Sequence, residues 1–244
     1  MVKKVLSVVP VPMQMKSRWD ACARPPYLFG LLHAAYQAID KKVPAISAIE
    51  FGVADGEGLL ILEEYASAVE RETGVITKVY GFDTGKGYPE LCGDYRDHPD
   101  MLNPGQYPMD EAALRQRLSS RTTLIIGDVA QSVPDFVRDS RHPPVGFIAC
   151  DFATYSSTRD ALQVLSLPGK RMLMKVPMCF GNIAGLGWHQ FAGELLAIAE
   201  LNAKNHNVKI DQWHGISSWR VFPEAPWLQS MYVAHDLEAI SKAQ

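Results

Sequence analysis

The chain has 244 residues, of which 47% are hydrophobic and 21% are charged. These proportions exclude a disordered chain. The formal net charge is −3 with both signs interspersed, which gives no sign of a surface for nucleic acid. A length of this order predicts one domain over 1–244 with a substantial core.

The apolar stretch over 5–12 follows two lysines and superficially resembles a signal peptide. Prolines and Gln14 interrupt the stretch, and no small-residue cleavage site follows it. Apolar runs also fall short of the ~20 residues that cross a bilayer. The four cysteines are scattered without a CxxC pair. The sequence therefore predicts a reduced, cytoplasmic protein without a membrane partner.

Short β-rich runs alternate along the chain with longer segments of helical periodicity. This alternation predicts a mostly parallel sheet covered by helices on both faces. Several of the runs are continuously apolar, as expected for strands buried on both faces. The expected fold is thus a doubly wound, Rossmann-like α/β sheet of seven strands. The predicted strands cover 45–52, 76–83, 122–127, 144–151, 171–177, 207–213 and 230–235.

Helical spacing and cap residues predict the helices between these strands. Residues 1–43 form an N-terminal helical segment in this interpretation, and 85–109 form a long loop rich in Pro, Gly, Asp and Tyr. A loop of this length is typical of a functional lid. Three of the predicted helices cover 59–72, 110–118 and 188–205. Three others are predicted only by their starts, at Pro25, near Ser132 and near Ser157.

The segment 48–58 is an apolar strand that ends in an acidic residue and leads through a glycine loop into a helix. From Glu50 through Gly52 and Gly56 to Gly58 it has the spacing E-x-G-x-x-x-G-x-G, which differs from the dinucleotide fingerprint. Glycines allow a tight turn and the close approach of a ligand. The segment resembles motif I of class I methyltransferases, whose loop binds the amino-acid portion of S-adenosylmethionine (SAM). A plain strand-to-helix turn is the alternative.

Two later strand ends also carry carboxylates. Asp83 follows about thirty residues after the glycine loop, where a neighbouring strand would bring it to the ribose hydroxyls. Asp128, after the third strand, would lie near the adenine. A loop cap remains the alternative for Asp83, and a turn residue remains the alternative for Asp128.

Two further segments resemble the macrocin O-methyltransferase (TylF-like) group. Residues 82–90, FDTGKGYPE, resemble its DSFEGLPE stretch, and 151–162 resemble its DxDxYSST…AL segment. The resemblance covers about 46–165. It implies a seven-stranded sheet with an antiparallel last strand and methylation of hydroxyls on sugars or other small molecules.

Many members of this group use Mg²⁺, which the resemblance assigns to the first aspartate of DxD and to an Asp-Asp pair after the next strand. Asp151 matches the first aspartate, but Ala153 replaces the second. Lys175 and the three residues after it stand where the Asp-Asp pair is expected. One carboxylate supplies too few oxygen ligands for Mg²⁺, so the sequence predicts no catalytic metal.

Methyl transfer from SAM to a hydroxyl requires a positioned acceptor and removal of its proton. Asp151 lies at the end of a predicted strand, where such sheets bind ligands, and is one candidate catalytic residue. His189 could act as a base near neutral pH and is the other. Helix capping for Asp151 and a structural role for His189 are the alternatives.

The leading hypothesis is a SAM-dependent methyltransferase that acts on a small-molecule acceptor. A SAM- or nucleotide-binding protein of the same fold that has lost catalysis is the alternative. An NAD-dependent oxidoreductase is disfavoured because no third glycine follows Gly58 at the dinucleotide position. The apolar stretch over 5–15 offers a surface for a homo-oligomer, and the sequence leaves the oligomeric state open.

Overall fold

A computed structural model describes residues 2–91 and 93–243. Within these ranges seven strands form one sheet in the order β3-β2-β1-β4-β5-β7-β6. β7 is antiparallel to both of its neighbours, and the other pairs are parallel. The predicted Rossmann-like α/β fold is confirmed. The strands are β1 Ala45–Phe51, β2 Ile76–Asp83, β3 Thr122–Ile126, β4 Val145–Cys150, β5 Lys175–Phe180, β6 Val208–Gln212 and β7 Met231–Asp236.

Helices connect the strands and cover the sheet. The third and fourth helices contact each other and β1, and the sixth, seventh and eighth helices contact one another in chain order. The helices in the described residues are α1 Val2–Val8, α2 Met13–Arg18, α3 Pro25–Asp40, α4 Glu57–Thr73, α5 Glu111–Arg117, α6 Val129–Arg138, α7 Tyr155–Ala161, α8 Gly193–Lys204 and α9 Leu237–Ser241. None of them is long and apolar enough to cross a membrane.

The strand register brings the carboxyl ends of the central strands level with one another. Phe51 at the end of β1 pairs with Phe82 on β2 and with Cys150 on β4. All three side chains are buried, and the rings of Phe51 and Phe82 lie 5.0 Å apart. The loops that follow these three strands therefore leave the sheet side by side, which sets the position of the site.

β5 corrects the sequence prediction of a strand over 171–177. Met172 makes only an isolated bridge with Val145, and the continuous strand runs from Lys175 to Phe180. The apolar pattern alone did not show which of these residues pair with β4. Lys175 consequently lies at the amino end of β5. The resemblance expects the Asp-Asp pair after the carboxyl end of this strand.

Three predicted helix starts also differ from the structure. α6 begins at Val129 because Asp128 caps it, accepting the Ala130 N–H at 2.9 Å, and the helix continues through the cap predicted near Ser132. α7 begins at Tyr155, upstream of the capping box predicted from Ser157. α8 begins only at Gly193, so 188–192 lie outside the helix.

Candidate active site

A cavity of about 460 Å³ opens at the carboxyl ends of β1, β2 and β4. Open α/β sheets bind their ligands at this edge, and the volume falls within the range of small-molecule sites. The cavity walls come from the glycine loop, from the strand ends and from the long loop over 85–109. Its lining includes Arg24, Gly52, Ala54, Glu57, Asp83, Thr84, Tyr88, Gln106, Tyr107, Asp151, Thr154 and Asn182.

The glycine loop between β1 and α4 requires glycine at its first turn. Gly52 has a φ of +83°, and a Cβ there would lie 2.8 Å from the main-chain oxygen of Asp151. Gly56, with a φ of +86°, is the N-cap residue just before α4, and no side chain caps that helix. The left-handed backbone and the close approach of the next loop explain why these positions hold glycine.

Asp83, at the end of β2, holds this loop in place and also lines the cavity. Its Oδ2 accepts the backbone N–H groups of Val53 at 2.9 Å and Ala54 at 3.0 Å. Its Oδ1 accepts the N–H of Gly85 at 2.7 Å. These three backbone contacts are those of the loop cap that the sequence left as the alternative for Asp83, and the same side chain also lines the cavity.

Glu50 and Gly58 lie beneath the loop and do not line the cavity. Glu50 is 1% exposed, and its Oε1 accepts the hydroxyl of Tyr27 at 2.7 Å. A Cβ on Gly58 would come within 2.0 Å of the same oxygen, so glycine makes room for the buried carboxyl. Burial raises the pKa of Glu50 to about 8, against the opposing effects of the Tyr27 hydrogen bond and the charge of Arg24.

Arg24 reaches the cavity from the start of α3, and the sequence analysis did not identify it. Its backbone has a φ of +41°, and its Nη1 donates to the hydroxyl of Tyr27 at 3.2 Å. Its Nη2 lies 3.7 Å from a carboxylate oxygen of Glu57. An arginine before two prolines gives no sequence signal for these contacts, since they depend on how α3 packs beside the loop.

Asp151, after β4, forms the opposite side of the cavity with Asn182, which follows β5. The Nδ2 of Asn182 donates to Asp151 Oδ1 at 3.1 Å. A Cβ on Gly181 would lie 2.1 Å from that same oxygen, so the carboxylate rests directly on the glycine backbone. Burial raises the pKa of Asp151, and the charge of Arg24 and the hydrogen bond from Asn182 oppose this rise.

Gly181 and Asn182, rather than Lys175, thus follow β5 where the resemblance expects Mg²⁺ ligands. Asp151 and Asn182 provide one carboxylate and one amide, whereas Mg²⁺ prefers six oxygen ligands in octahedral geometry. No group of three or more His, Cys, Asp or Glu residues in the described ranges is arranged to hold a metal ion. The donor set does not fit a Mg²⁺ site.

Asp128 and His189 lie outside the cavity walls. Asp128 is exposed and caps α6. His189 is also exposed, and its Nδ1 accepts the N–H of Phe191 at 3.3 Å. Of the residues singled out in the sequence, the structure brings Gly52, Asp83 and Asp151 together on the cavity wall.

The long loop over 85–109 covers the cavity with its two arms. The backbone of Tyr88 donates to the carbonyl of Gln106 at 3.0 Å and accepts the N–H of Gly105 at 2.8 Å. The rings of Tyr88 and Tyr107 meet edge to face, with their centroids 5.7 Å apart. Both rings line the cavity, so the two ends of this loop form part of its wall.

The middle of this loop packs against residues that follow β4 and β5. The imidazole of His98 is 2% exposed and meets the ring of Trp188 edge to face at 4.8 Å. Asp97 Oδ1 accepts the N–H of Ser156 in α7 at 2.7 Å. Burial lowers the pKa of His98, as does the neighbouring His189. These contacts fix the middle of a loop that otherwise contains only a short 3₁₀ turn, Tyr95–Asp97, in its described part.

No protein-family model matches this chain, and no curated protein matches it. Several solved structures do match this chain. CalS11, a calicheamicin methyltransferase, aligns with a TM-score of 0.56 at 19% identity, over 96% of this chain and 89% of its own. The O-methyltransferase NovP aligns with a TM-score of 0.53 at 18% identity, over 74% of this chain and 72% of its own. At these identities the likeness establishes the fold that this chain shares with those enzymes.

Proposed function

We propose that this chain is a SAM-dependent methyltransferase that transfers the methyl group to a hydroxyl of a small-molecule acceptor. The observation that carries this proposal is the left-handed glycine at Gly52 beside the Asp83 carboxylate, on the wall of a cavity at the carboxyl ends of parallel strands. CalS11 and NovP share the fold and are methyltransferases by description, which supports the same class.

The residues of the cavity fit a nucleoside cofactor with an amino-acid tail. A Cβ at Gly52 would lie 2.8 Å from the main-chain oxygen of Asp151, so glycine lets the loops after β1 and β4 approach each other at the cavity wall. Each carboxylate oxygen accepts about two hydrogen bonds, and the three backbone contacts of Asp83 leave its Oδ1 with room to accept one ribose hydroxyl. Bound there, SAM supplies an electrophilic methyl group on its sulfonium. We assign direct contacts to Gly52 and Asp83 and a supporting role to Glu50, Gly56 and Gly58.

We assign removal of the acceptor proton to Asp151. Its raised pKa brings the carboxylate closer to the range in which a general base works well near neutral pH. The hydrogen bond from Asn182 fixes the orientation of the carboxylate. His189 lies outside the cavity, and Asp128 caps a helix at the surface, so neither is given a direct part.

We further propose that the reaction proceeds without a divalent metal, because Asp151 and Asn182 do not provide a Mg²⁺ ligand set. Because the cavity of about 460 Å³ must also hold SAM, it leaves room only for a small acceptor. The alternative, a protein that binds SAM without catalysis, shares the cofactor contacts and differs only in turnover.

The test is transfer of labelled methyl from SAM to a panel of hydroxylated small molecules in the presence of EDTA. We expect turnover in the wild type, and a loss of about 10²–10⁴-fold in Asp151→Asn with S-adenosylhomocysteine (SAH) binding retained. Asp128→Ala is the matched control and should turn over normally. SAH binding without turnover on any acceptor would favour the alternative, and activity that requires Mg²⁺ would contradict the metal-free reaction.

A further inference from the structure

The charges on the cavity wall are strongly unequal. Asp55, Glu57, Asp83 and Asp151 contribute four carboxyl groups, whereas Arg24 is the only lysine or arginine among the described residues that line it. A ligand that carries several cationic groups and one anionic group matches this wall. Any carboxylate of such a ligand has one guanidinium available to it.

The guanidinium of Arg24 has donors to spare. Within the described chain its hydrogen bond goes to the Tyr27 hydroxyl at 3.2 Å. Its ion pair with Glu57 is 3.7 Å long, beyond hydrogen-bond length, and the Glu57 side chain is 71% exposed. A guanidinium presents five N–H groups in a planar fork that matches a carboxylate with two parallel hydrogen bonds. The Arg24 fork is largely unsatisfied by the protein itself.

The chain holds this guanidinium in a defined place. Tyr27 links Arg24 to the buried Glu50, because its hydroxyl accepts from the first and donates to the second at 2.7 Å. The backbone of Arg24 has a φ of +41°, a left-handed conformation that is costly for a non-glycine residue and is concentrated at functional sites. Pro25 disfavours the ordinary helical conformation for the residue before it, which is consistent with this geometry.

Arg24 and Asp83 lie beside different parts of the connection from β1 into α4. The Nη1 of Arg24 is 3.2 Å from the place where a Cβ of Gly58 would stand, and Asp83 binds the N–H groups of Val53 and Ala54. Both side chains line one cavity. A ligand whose ribose meets Asp83 can therefore extend its other end toward Arg24.

We infer that Arg24 binds the carboxylate of the methionine portion of SAM and thereby selects the complete cofactor over nucleosides that lack this group. The inference rests on the proposed function. A carboxylate on the acceptor would offer the same chemistry, and the ligands in the test separate these two sources.

The test is calorimetric titration of the wild type, Arg24→Ala and Arg24→Lys with two ligands. One ligand is SAH, and the other is decarboxylated SAH, which keeps the thioether and the amine. We expect Arg24→Ala to weaken SAH binding about 10- to 100-fold, the range for a hydrogen bond to a charged group, and to leave the decarboxylated ligand unchanged or tighter. Arg24→Lys keeps the charge without the planar fork, so its affinity for SAH should lie between those of the wild type and Arg24→Ala.

Equal weakening of both ligands in Arg24→Ala would overturn the inference, because Arg24 would then only support the loop. Unchanged SAH affinity, with turnover lost only for acceptors that bear a carboxylate, would assign the contact to the acceptor and would also overturn it. If neither ligand binds the wild type, the proposed function itself fails, which is a different result. Thermal unfolding of each variant shows that the comparison is made on folded protein.

Discussion

Asp83 at the end of β2 fixes Val53 in the loop after β1, since its Oδ2 accepts the Val53 N–H at 2.9 Å. The same oxygen accepts the N–H of Ala54, and the other carboxylate oxygen accepts that of Gly85. One side chain thus ties together the two loops that border the cavity. The carboxylate therefore shapes the glycine loop through hydrogen bonds within the protein.

Replacing Asp83 should therefore affect both stability and ligand binding. Asp83→Ala leaves these backbone donors without their acceptor, and we expect a loss of about 1–3 kcal/mol in the free energy of unfolding by urea. Affinity for SAH should fall as well. Asp128→Ala removes a helix cap worth about 1 kcal/mol at a residue that does not line the cavity, and it should leave SAH affinity intact. Wild-type stability and affinity in Asp83→Ala would contradict this account of the loop.

The tight contact between Gly58 and Glu50 gives a second prediction. A Cβ at Gly58 would come within 2.0 Å of the buried Oε1, whereas a Cβ at Gly74 would meet nothing within 4 Å. Gly74 has a φ of +75°, so Gly74→Ala introduces only backbone strain, of about 1 kcal/mol. We expect Gly58→Ala to lower the free energy of unfolding by more than Gly74→Ala does. Equal losses would mean that the buried carboxyl moves aside without cost.

Glu50 should make stability depend on pH. Burial raises its pKa from an ordinary value of 4.5 to about 8, so the folded chain holds a proton that the unfolded chain has already lost. Because the unfolded state binds fewer protons over this range, Glu50 lowers the free energy of unfolding as the pH rises from about 4.5 to 8. Arg24 and Tyr27 moderate the effect, and Asp151 and Asp83 add to it.

Glu50→Gln imitates the protonated side chain and should remove this contribution. Urea unfolding at pH 5 and pH 8.5 measures the change for each protein. The wild type should lose stability relative to Glu50→Gln at the higher pH. Parallel changes in the two proteins would show that the carboxyl is ionised in the folded chain throughout this range.

The anchor of the long loop can be tested by proteolysis. His98 is buried against Trp188, and Lys86 in the same loop is exposed. Removal of the anchor should increase local opening of the loop, so His98→Ala should be cleaved faster by trypsin after Lys86. His206→Ala is the matched control, because that histidine is exposed and lies between α8 and β6, outside this loop. Identical cleavage rates in His98→Ala and the wild type would contradict an anchoring role.

The architecture could be predicted because strands buried on both faces leave continuous apolar runs, and because Asp83 follows one of them directly. Lys175 was misplaced because an apolar run does not show which of its residues pair with the neighbouring strand. In the structure Met172 makes only an isolated bridge, and the strand begins three residues later. The sequence therefore did not predict where β5 ends, nor that Asn182, just after that end, lines the cavity.

Arg24 was missed for a different reason. Its contacts with Tyr27 and Glu57, and its place beside Gly58, arise from the packing of α3 beside α4. No local pattern in the sequence encodes that packing. Glu50 shows the reverse case, because its place in the motif was identified but its burial beneath the loop could not be predicted from spacing.

Calorimetric titration of the metal-free protein with SAM and SAH decides whether this chain binds the proposed cofactor. We expect micromolar binding of at least one of them to the wild type. Gly52→Ala should abolish this binding, because a side chain there is strained and would lie 2.8 Å from the Asp151 main chain, whereas Gly74→Ala should bind normally. Absence of binding by the wild type to both ligands, with or without Mg²⁺, would contradict the assignment of this cavity to SAM.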